Sequence, residues 1–289
     1  MPHERTWRSA ATADLGELIQ RWIDESMCRP DAACIAIAGP VTQNRCITTN
    51  LPWVVDGAAL TARFGFPVTL VNDFYAAALG VSRLTPSDLV QIGGGVAEAD
   101  APVAVIGAGT GLGEALLLPP DRVVPGEGGH ADFGPTTPRE LRFAAWLTAR
   151  EGRASWELVL SGPGLVNLAR FSFEDHGEPA PAWLDEAAAP ARVSRELPAV
   201  VEWFAELYGS EAGNAALRSL ARGGVYLCGG IAPTILPTLR NGSFRARFEA
   251  KGKLGSAIAG VPVFVVTHPA LGLLGAEAEL RRRVVLRAG

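Results

Sequence analysis

The sequence predicts an α/β fold, and three observations support this class. An amphipathic helical pattern precedes the first strand-like run, and short β-rich runs then alternate with helical segments. The chain has 289 residues, which is enough for one large domain or two medium ones with a buried core. Its apolar fraction of 48% and charged fraction of 19% are ordinary for a globular protein.

Charge and composition argue against several other classes of protein. A net charge of −4 provides no basic field for nucleic acid or for an anionic membrane surface. The four cysteines form no CxxC pair, so neither a zinc ribbon nor a disulfide framework is predicted. The N-terminal segment has no signal-peptide core, and no apolar run reaches the roughly 20 residues of a membrane helix. We therefore expect a cytoplasmic location, without nucleic-acid or membrane partners.

The N-terminal elements follow from periodicity. Apolar residues recur at helical spacing over about residues 13–25, which predicts a helix that packs against a sheet. Runs bounded by Gly, Pro and Asn predict strands over 34–38, 45–49 and 67–71.

A glycine-rich hairpin and a capped helix come next. Residues 103–106 and 114–118 read as strands joined by a turn through 107–113. Thr137, with Pro138 and Glu140 after it, predicts a helix start with a capping box. Residues 173–190 are rich in Pro, Ala and acidic side chains, which predicts a surface loop.

The C-terminal part begins with a long helical segment over 193–222. Pro198, Gly209 and Gly213 are expected to interrupt it. Two more strands and a final helix are predicted over 225–228, 263–266 and 271–285.

An Asn-Asp pair, Asn72 and Asp73, follows the strand over 67–71 directly. The C-terminal ends of strands line the ligand crevice of open α/β sheets, so a carboxylate here is a candidate catalytic base. The pair can equally cap the helix that Phe74 begins. The residues alone leave both interpretations open.

The glycine run from Gly107 to Gly113 permits three interpretations. Its backbone N–H groups and the Thr110 hydroxyl suit a phosphate cradle. A dinucleotide fingerprint, and with it a nicotinamide-dependent oxidoreductase, would need glycine where Leu112 stands and a helix after it. A hairpin turn without a ligand is the third interpretation.

Two further motifs could meet a small ligand. Glu127 and His130 stand among glycines and suit sugar hydroxyls, although a lone histidine is more often structural. No companion at metal-ligand spacing lies near His130, so no bound metal is predicted. Glu157 could serve the same ligand or lie in a first helical turn facing solvent. The glycines at 229 and 230 allow close approach by a flat ring or a phosphate, or simply a tight turn.

The order of these pieces resembles the bacterial glucokinase family from about residue 15 to the end of the chain. Eight blocks carry the resemblance: CIAIAGPV, TNLPW, VNDF, VIGAGTGLG, PGEGGH, LSGPGLVNL, GGVYLCGGI and HPALGLLG. The His and triple-Cys zinc motif of the related repressor and kinase family has no counterpart here. The resemblance implies the two-lobed actin/hexokinase-like (ribonuclease H-like) fold. It places a small lobe at 1–83 plus 272–289 and a large lobe at 84–271.

The resemblance also implies ATP-dependent phosphorylation of D-glucose to glucose 6-phosphate, the entry step of glycolysis. Asp73 would take the proton from the sugar 6-hydroxyl. The residues implied to bind the sugar with it are Asn50, Asn72, Glu127, His130 and Glu157. Those implied to face ATP are Gly107, Gly109, Thr110, Gly111, Gly229, Gly230 and Ile231. Mg²⁺ would arrive with ATP, no structural metal is implied, and a homodimer is an expectation of the resemblance alone.

One family feature is not found in this sequence. Glucokinases begin with a strand and a phosphate-binding turn of the form Asp-x-Gly-Gly-Thr-x-x-Arg, and we expect its absence to leave an unpaired sheet edge. The explanation we favour is a start codon assigned too far downstream. The alternatives are a truncation that yields a weak or inactive sugar-binding protein, and an edge completed by another chain.

Overall fold

The computed structural model describes residues 4–9, 12–48 and 51–288. The strands are β1 (Ala33–Ile37), β2 (Val41–Thr42), β3 (Arg45–Ile47), β4 (Val54–Asp56), β5 (Val68–Asn72), β6 (Leu89–Gly93), β7 (Val103–Ala108), β8 (Leu112–Leu118), β9 (Arg122–Gly126), β10 (Gly224–Cys228) and β11 (Val263–Val266). The α-helices are α1 (Leu15–Ser26), α2 (Gly57–Phe64), α3 (Asp73–Val81), α4 (Pro138–Glu151), α5 (Gly162–Asp175), α6 (Ala189–Glu196), α7 (Pro198–Ser219), α8 (Ile231–Thr234), α9 (Leu236–Leu239), α10 (Ser243–Glu249), α11 (Gly255–Ile258) and α12 (Leu271–Ala288).

The chain divides into two compact units. Unit 1 contains residues 1–83 and 270–289, so it is built from two separate chain segments, and unit 2 contains residues 84–269. Within the described ranges, no helix combines the length and the apolar character needed to cross a bilayer.

Unit 1 contains two small sheets. Strands β1 and β5 pair in parallel, with Ile37 opposite Asn72, and β2, β3 and β4 form an antiparallel meander. Within the described residues, β1 pairs with no second strand. Helix α1, which Asp14 caps, contributes Leu18 and Ile19 to the core of this unit. The predicted first helix and strands are thus confirmed.

Helices α3 and α12 of unit 1 cross at two glycines. A Cβ added to Gly275 would overlap the carbonyl oxygen of Ala76 and lie 2.9 Å from the backbone nitrogen of Gly80. A Cβ on Gly80 would in turn overlap the carbonyl oxygen of Leu271. Backbone therefore packs against backbone at this crossing, which fixes α3 and the residue at its start, Asp73.

Unit 2 is built on a six-stranded mixed sheet in the order β6-β11-β10-β7-β8-β9. Strands β11, β10 and β7 are parallel, and β7, β8 and β9 form consecutive hairpins. The predicted glycine-rich hairpin is therefore confirmed. Because Cys228 stands opposite Gly107, the C-terminal ends of β10 and β7 lie side by side. The loops that leave these two ends are neighbours.

The long helical segment of unit 2 is interrupted next to Pro198, as predicted, but not at its two glycines. It consists of α6 and α7, and α7 begins at Pro198 and runs without a break through Gly209 and Gly213. A Cβ at either glycine would overlap a backbone carbonyl oxygen of α10, that of Phe244 or that of Phe248. These glycines allow two helices to approach closely and do not interrupt the first.

Two other local predictions need correction. The segment expected to be a surface loop ends one helix and begins another, with a 3₁₀ turn at Ala182–Asp185 whose Leu184 is buried. Thr137 does cap α4, but the Glu140 carboxylate accepts from the N–H of Thr136, 2.6 Å away, and pairs with Arg247. The Glu140 carboxylate therefore does not complete the predicted capping box, and its ion pair with Arg247 is a tertiary contact.

Candidate active site

The structure shows which residue of the pair Asn72 and Asp73 caps helix α3. The Asn72 side-chain oxygen accepts hydrogen bonds from the backbone N–H groups of Phe74 and Tyr75, both at 2.9 Å, and so caps α3. Its amide nitrogen donates to the carbonyl oxygen of Gly39 and to Oδ1 of Asp73, both at 3.1 Å. The cap therefore belongs to Asn72, which also orients the Asp73 carboxylate.

The Asp73 carboxylate stands at the junction of β5 and α3. Its Oδ1 accepts from the N–H of Phe74 at 2.8 Å, while Oδ2 accepts no hydrogen bond from the described residues. The side chain is exposed, but neighbouring protein atoms displace part of its hydration. This partial burial raises the pKa of Asp73, against the hydrogen bonds from Phe74 and Asn72, which lower it. One oxygen is held in place and the other is available to accept a proton.

The tip of the β7–β8 hairpin has unused donors. Within the described part of the chain, the backbone N–H groups of Thr110 and Gly111 donate to no protein group, and the Thr110 hydroxyl is exposed. The N–H of Gly109 donates to the carbonyl oxygen of Gly111, and the carbonyl oxygen of Gly109 accepts from Gly162 at 2.7 Å. A turn anchored on both sides with two free N–H groups suits an anion. No helix follows the glycines, so the dinucleotide fingerprint is not met.

Glu157 is anchored on this hairpin. It lies in a turn ahead of α5, and its Oε2 accepts from the N–H of Leu112 at 3.0 Å. Its own N–H donates to the carbonyl oxygen of Gly129 at 2.8 Å. The alternative of a solvent-facing carboxylate in the first turn of a helix is therefore wrong.

Glu127 precedes a 3₁₀ turn over Gly128–His130, and His130 is its last residue. The side chains of both are exposed, and Nδ1 of His130 lies 4.0 Å from Oε1 of Glu157. Arg153 fixes the base of this turn by donating to the carbonyl oxygen of His130 at 2.8 Å. Since Glu157 also contacts Leu112 and Gly129, the 3₁₀ turn and the hairpin are held together.

Gly229, Gly230 and Ile231 connect β10 to the short helix α8. Gly229 has a φ of 83°, and a Cβ there would overlap the carbonyl oxygen of Ala108 at the end of β7. A Cβ on Gly230 would meet no atom within 4 Å, so the space beside it is open. This turn therefore lies directly beside the glycine hairpin.

The structure thus brings together the predicted residues of unit 2 and assigns Asn72 and Asp73 to unit 1. Asn50, the remaining predicted sugar ligand, lies outside the described residues. In the part of the chain that the structure covers, no three His, Cys, Asp or Glu side chains gather in a group that could hold a metal ion.

Comparison with known proteins decides the family. The sequence model of the glucokinase family matches residues 1–283. This chain belongs to the glucokinase family. The glucokinase of Mesorhizobium japonicum is 41% identical over 266 residues, a match that covers 90% of this chain and 78% of that protein. The chain is an enzyme of the glucokinase type, as its sequence predicts.

Solved structures support the same assignment. The crystal structure of a glucokinase from an Antarctic psychrotroph matches with a TM-score of 0.82 and 30% identity, covering 96% of this chain and 89% of that one. A ROK family glucokinase from Streptomyces griseus, in complex with glucose and AMPPNP, has a TM-score of 0.60 and 20% identity, covering 91% and 86%. The predicted α/β, two-lobed sugar-kinase fold is confirmed.

Sequence reasoning missed two residues of this site. Ser161 caps α5 by accepting from the N–H of Gly164 at 3.0 Å, and it donates to the carbonyl oxygen of Glu157 at 2.6 Å. Gly162, next to it, holds the hairpin through Gly109. A serine before Gly-Pro at a helix start is a local cap signal. Its link to Glu157 is a tertiary contact that the pattern does not contain.

Proposed function

We propose that this chain transfers the γ-phosphoryl group of ATP to the 6-hydroxyl of D-glucose, with Asp73 as the general base. The hydroxyl oxygen forms a bond to the γ-phosphorus, and the bond from that phosphorus to the bridging oxygen breaks. Asp73 takes the hydroxyl proton, and ADP leaves. Mg²⁺, bound with ATP, would neutralise charge on the phosphates.

The observation that carries this proposal is the state of the Asp73 carboxylate. Asn72 already caps α3, so Asp73 is not needed as the cap. Its Oδ1 is fixed by two hydrogen bonds, and its Oδ2 accepts none from the described residues. A carboxylate with one held and one open oxygen is suited to accept a proton from a bound alcohol.

The remaining assignments follow the chemistry of each segment. The free N–H groups of the hairpin tip are proposed to hold phosphate, and the Gly229 turn beside it the adenosine. Glu127, His130 and Glu157 are proposed to bind sugar hydroxyls, and Asn50 and Asn72 are proposed as further sugar ligands. The Streptomyces griseus protein binds glucose and AMPPNP together, which accords with this pair of substrates.

Several finer points stay predictions. These are the cytoplasmic location, the homodimer, and the two lobes at 1–83 plus 272–289 and 84–271. The comparisons give no support to an inactive sugar-binding remnant.

Glucose-dependent release of ADP from MgATP tests the function, with the product identified by glucose-6-phosphate dehydrogenase. The proposal expects glucose 6-phosphate and ADP in equal amounts. Glucose binding in calorimetry without ADP release would instead indicate a sugar-binding protein that lacks phosphoryl transfer.

Replacing Glu157 tests the sugar-binding assignment in unit 2. Glu157→Ala removes the acceptor for Leu112 N–H and the proposed acceptor for sugar hydroxyls, so we expect the glucose KM to rise about 10- to 100-fold. Glu157→Gln retains an acceptor for Leu112 and should raise the KM less. Steady-state kinetics with varied glucose measures both. Equal KM values for Glu157→Ala and the unchanged enzyme would contradict the assignment.

A further inference from the structure

Glu114 is a buried carboxylate that the proposed reaction does not use. It lies on β8, only 9% exposed, and its Oε1 is buried without a hydrogen-bond partner. A carboxylate oxygen left unpaired in the interior is costly. The charged groups around Glu114 determine how this cost can be offset.

Helix α7 supplies the groups that face Glu114. Arg218 donates to Oε2 of Glu114 at 3.0 Å and also pairs with Glu211, which is fully buried. Tyr208 is also fully buried, and its hydroxyl donates a hydrogen bond to the carbonyl oxygen of Ile106. Lys251 faces Glu211 from beyond α10 and donates to Asn214 at 2.8 Å.

Two buried carboxylates therefore share one guanidinium, whose own side chain is half exposed, and this favours one bound proton between them. Glu211 lies close to Glu114, because one nitrogen of Arg218 donates to both carboxylates, so the two can share a proton. Burial first, and then the charge of Glu211, raise the pKa of Glu114 to about 7, while Arg218 lowers it. The neutral and ionised forms of Glu114 are thus both accessible near neutral pH.

Glu114 also lies directly against the turn that carries the proposed sugar ligands. It stands opposite Gly126 in the β8–β9 pairing, and a Cβ on Gly128 would overlap its Oε2. Gly128 lies between Glu127 and His130 in the chain. The Glu114 carboxylate is therefore so close to Gly128 that a shift toward it would press on the backbone between these two side chains.

We propose that Glu114 is a positioning residue for sugar recognition: its neutral carboxyl, sharing a proton with Glu211, supports the turn over residues 126–130 in its sugar-binding geometry. When both carboxylates are ionised, they repel each other. The Glu114 carboxylate is then pushed toward Gly128, and the turn shifts. This inference rests on the proposed function, because it assigns sugar binding to Glu127 and His130.

The sign of the pH effect follows from the favoured form. If sugar binds best when the pair holds its proton, the affinity for glucose is greatest below the pKa of Glu114 and falls as the pH rises through it. Glu114→Gln should keep the high-affinity form at every pH, because a side-chain amide is neutral and can still donate to Glu211.

Glucose binding to the full-length enzyme, measured by calorimetry from pH 6 to pH 8.5, tests the proposal. We expect Glu114→Gln to match the unchanged enzyme at pH 6 and to bind glucose on the order of tenfold more tightly at pH 8.5. Taking the ratio of the two dissociation constants at each pH cancels the contribution of titrating groups that both proteins share, such as Lys251.

Glu140→Gln is the matched control. Glu140 is another buried carboxylate of unit 2 paired with an arginine, but its partners are Thr136 and Arg247 and not the sugar-binding turn. This variant should lose stability and keep the pH dependence of the unchanged enzyme. If Glu114→Gln follows the same pH dependence as the unchanged enzyme, the positioning role is wrong and sugar binding still stands. If the unchanged enzyme binds no glucose, both proposals fail.

Discussion

Replacing Asp73 by asparagine is expected to lower kcat for glucose phosphorylation by about 10² to 10⁴, the usual contribution of a general base. The reason is specific: Asn72 and not Asp73 caps α3, so the substitution removes the proton acceptor without removing the cap. Glucose affinity in calorimetry should change little by comparison. Kinetics and calorimetry on the same preparation measure the two effects.

Asp56→Asn is the matched control for this substitution. Asp56 also stands where a strand runs into a helix, and its Oδ1 accepts from the N–H groups of Ala58 and Ala59 at 2.8 and 3.1 Å. It is a pure cap, and asparagine is an equally good one. The kcat of the Asp56→Asn variant should match that of the unchanged enzyme. A kcat for Asp73→Asn within threefold of this control would exclude Asp73 as the base.

The proposed role of Asp73 also predicts how kcat/KM depends on pH. Only ionised Asp73 can accept a proton, so kcat/KM should fall as the pH drops through its pKa, which partial burial raises above the ordinary value. The acid limb is therefore expected at a higher pH than for a fully hydrated aspartate. Rates measured down to about pH 4, with circular dichroism to confirm folding, locate it. The residual activity of Asp73→Asn should lack this limb.

Gly275→Ala is expected to cost about 3 kcal/mol of stability and to lower the melting temperature by roughly 10 °C. Its new Cβ would overlap the carbonyl oxygen of Ala76 and crowd the nitrogen of Gly80, and both atoms belong to the backbone of α3. These backbone atoms cannot move away from the new methyl group as the end of a flexible side chain could. Because α3 begins at Asp73, kcat should fall as well.

Gly272→Ala on the same helix provides the comparison. A Cβ there meets no atom within 4 Å, so the substitution should be neutral or stabilise the helix by up to about 1 kcal/mol. Thermal unfolding followed by circular dichroism distinguishes the two. Equal melting temperatures for the two variants would mean that the crossing of α3 and α12 is looser than the structure indicates.

Local signals predicted a large part of the fold. The glycine hairpin, the cap at Thr137 and the strand that ends at Asn72 all depend on residue types at short spacing. The ordered blocks then predicted the family, which no single motif could do.

What the sequence could not reveal depends on distant partners. Gly209 and Gly213 resemble helix breakers until the α10 carbonyl oxygens that approach them are known. Glu157 resembles a solvent-facing carboxylate until its bond to Leu112 is known. Glu114 reads as an ordinary strand residue, and only the fold brings Glu211 to its side. In each case the deciding neighbour is far away in the chain.

The division of unit 1 into two chain segments affects how the enzyme matures during synthesis. Helix α3 emerges from the ribosome early, but α12, which crosses it at Gly275, follows only after all of unit 2 has been made. At the usual 5–20 residues per second, this interval is on the order of 10 s or more. Throughout it the helix that bears Asp73 lacks its packing partner. A nascent chain can thus fold unit 2 long before α12 packs against the helix that begins at Asp73.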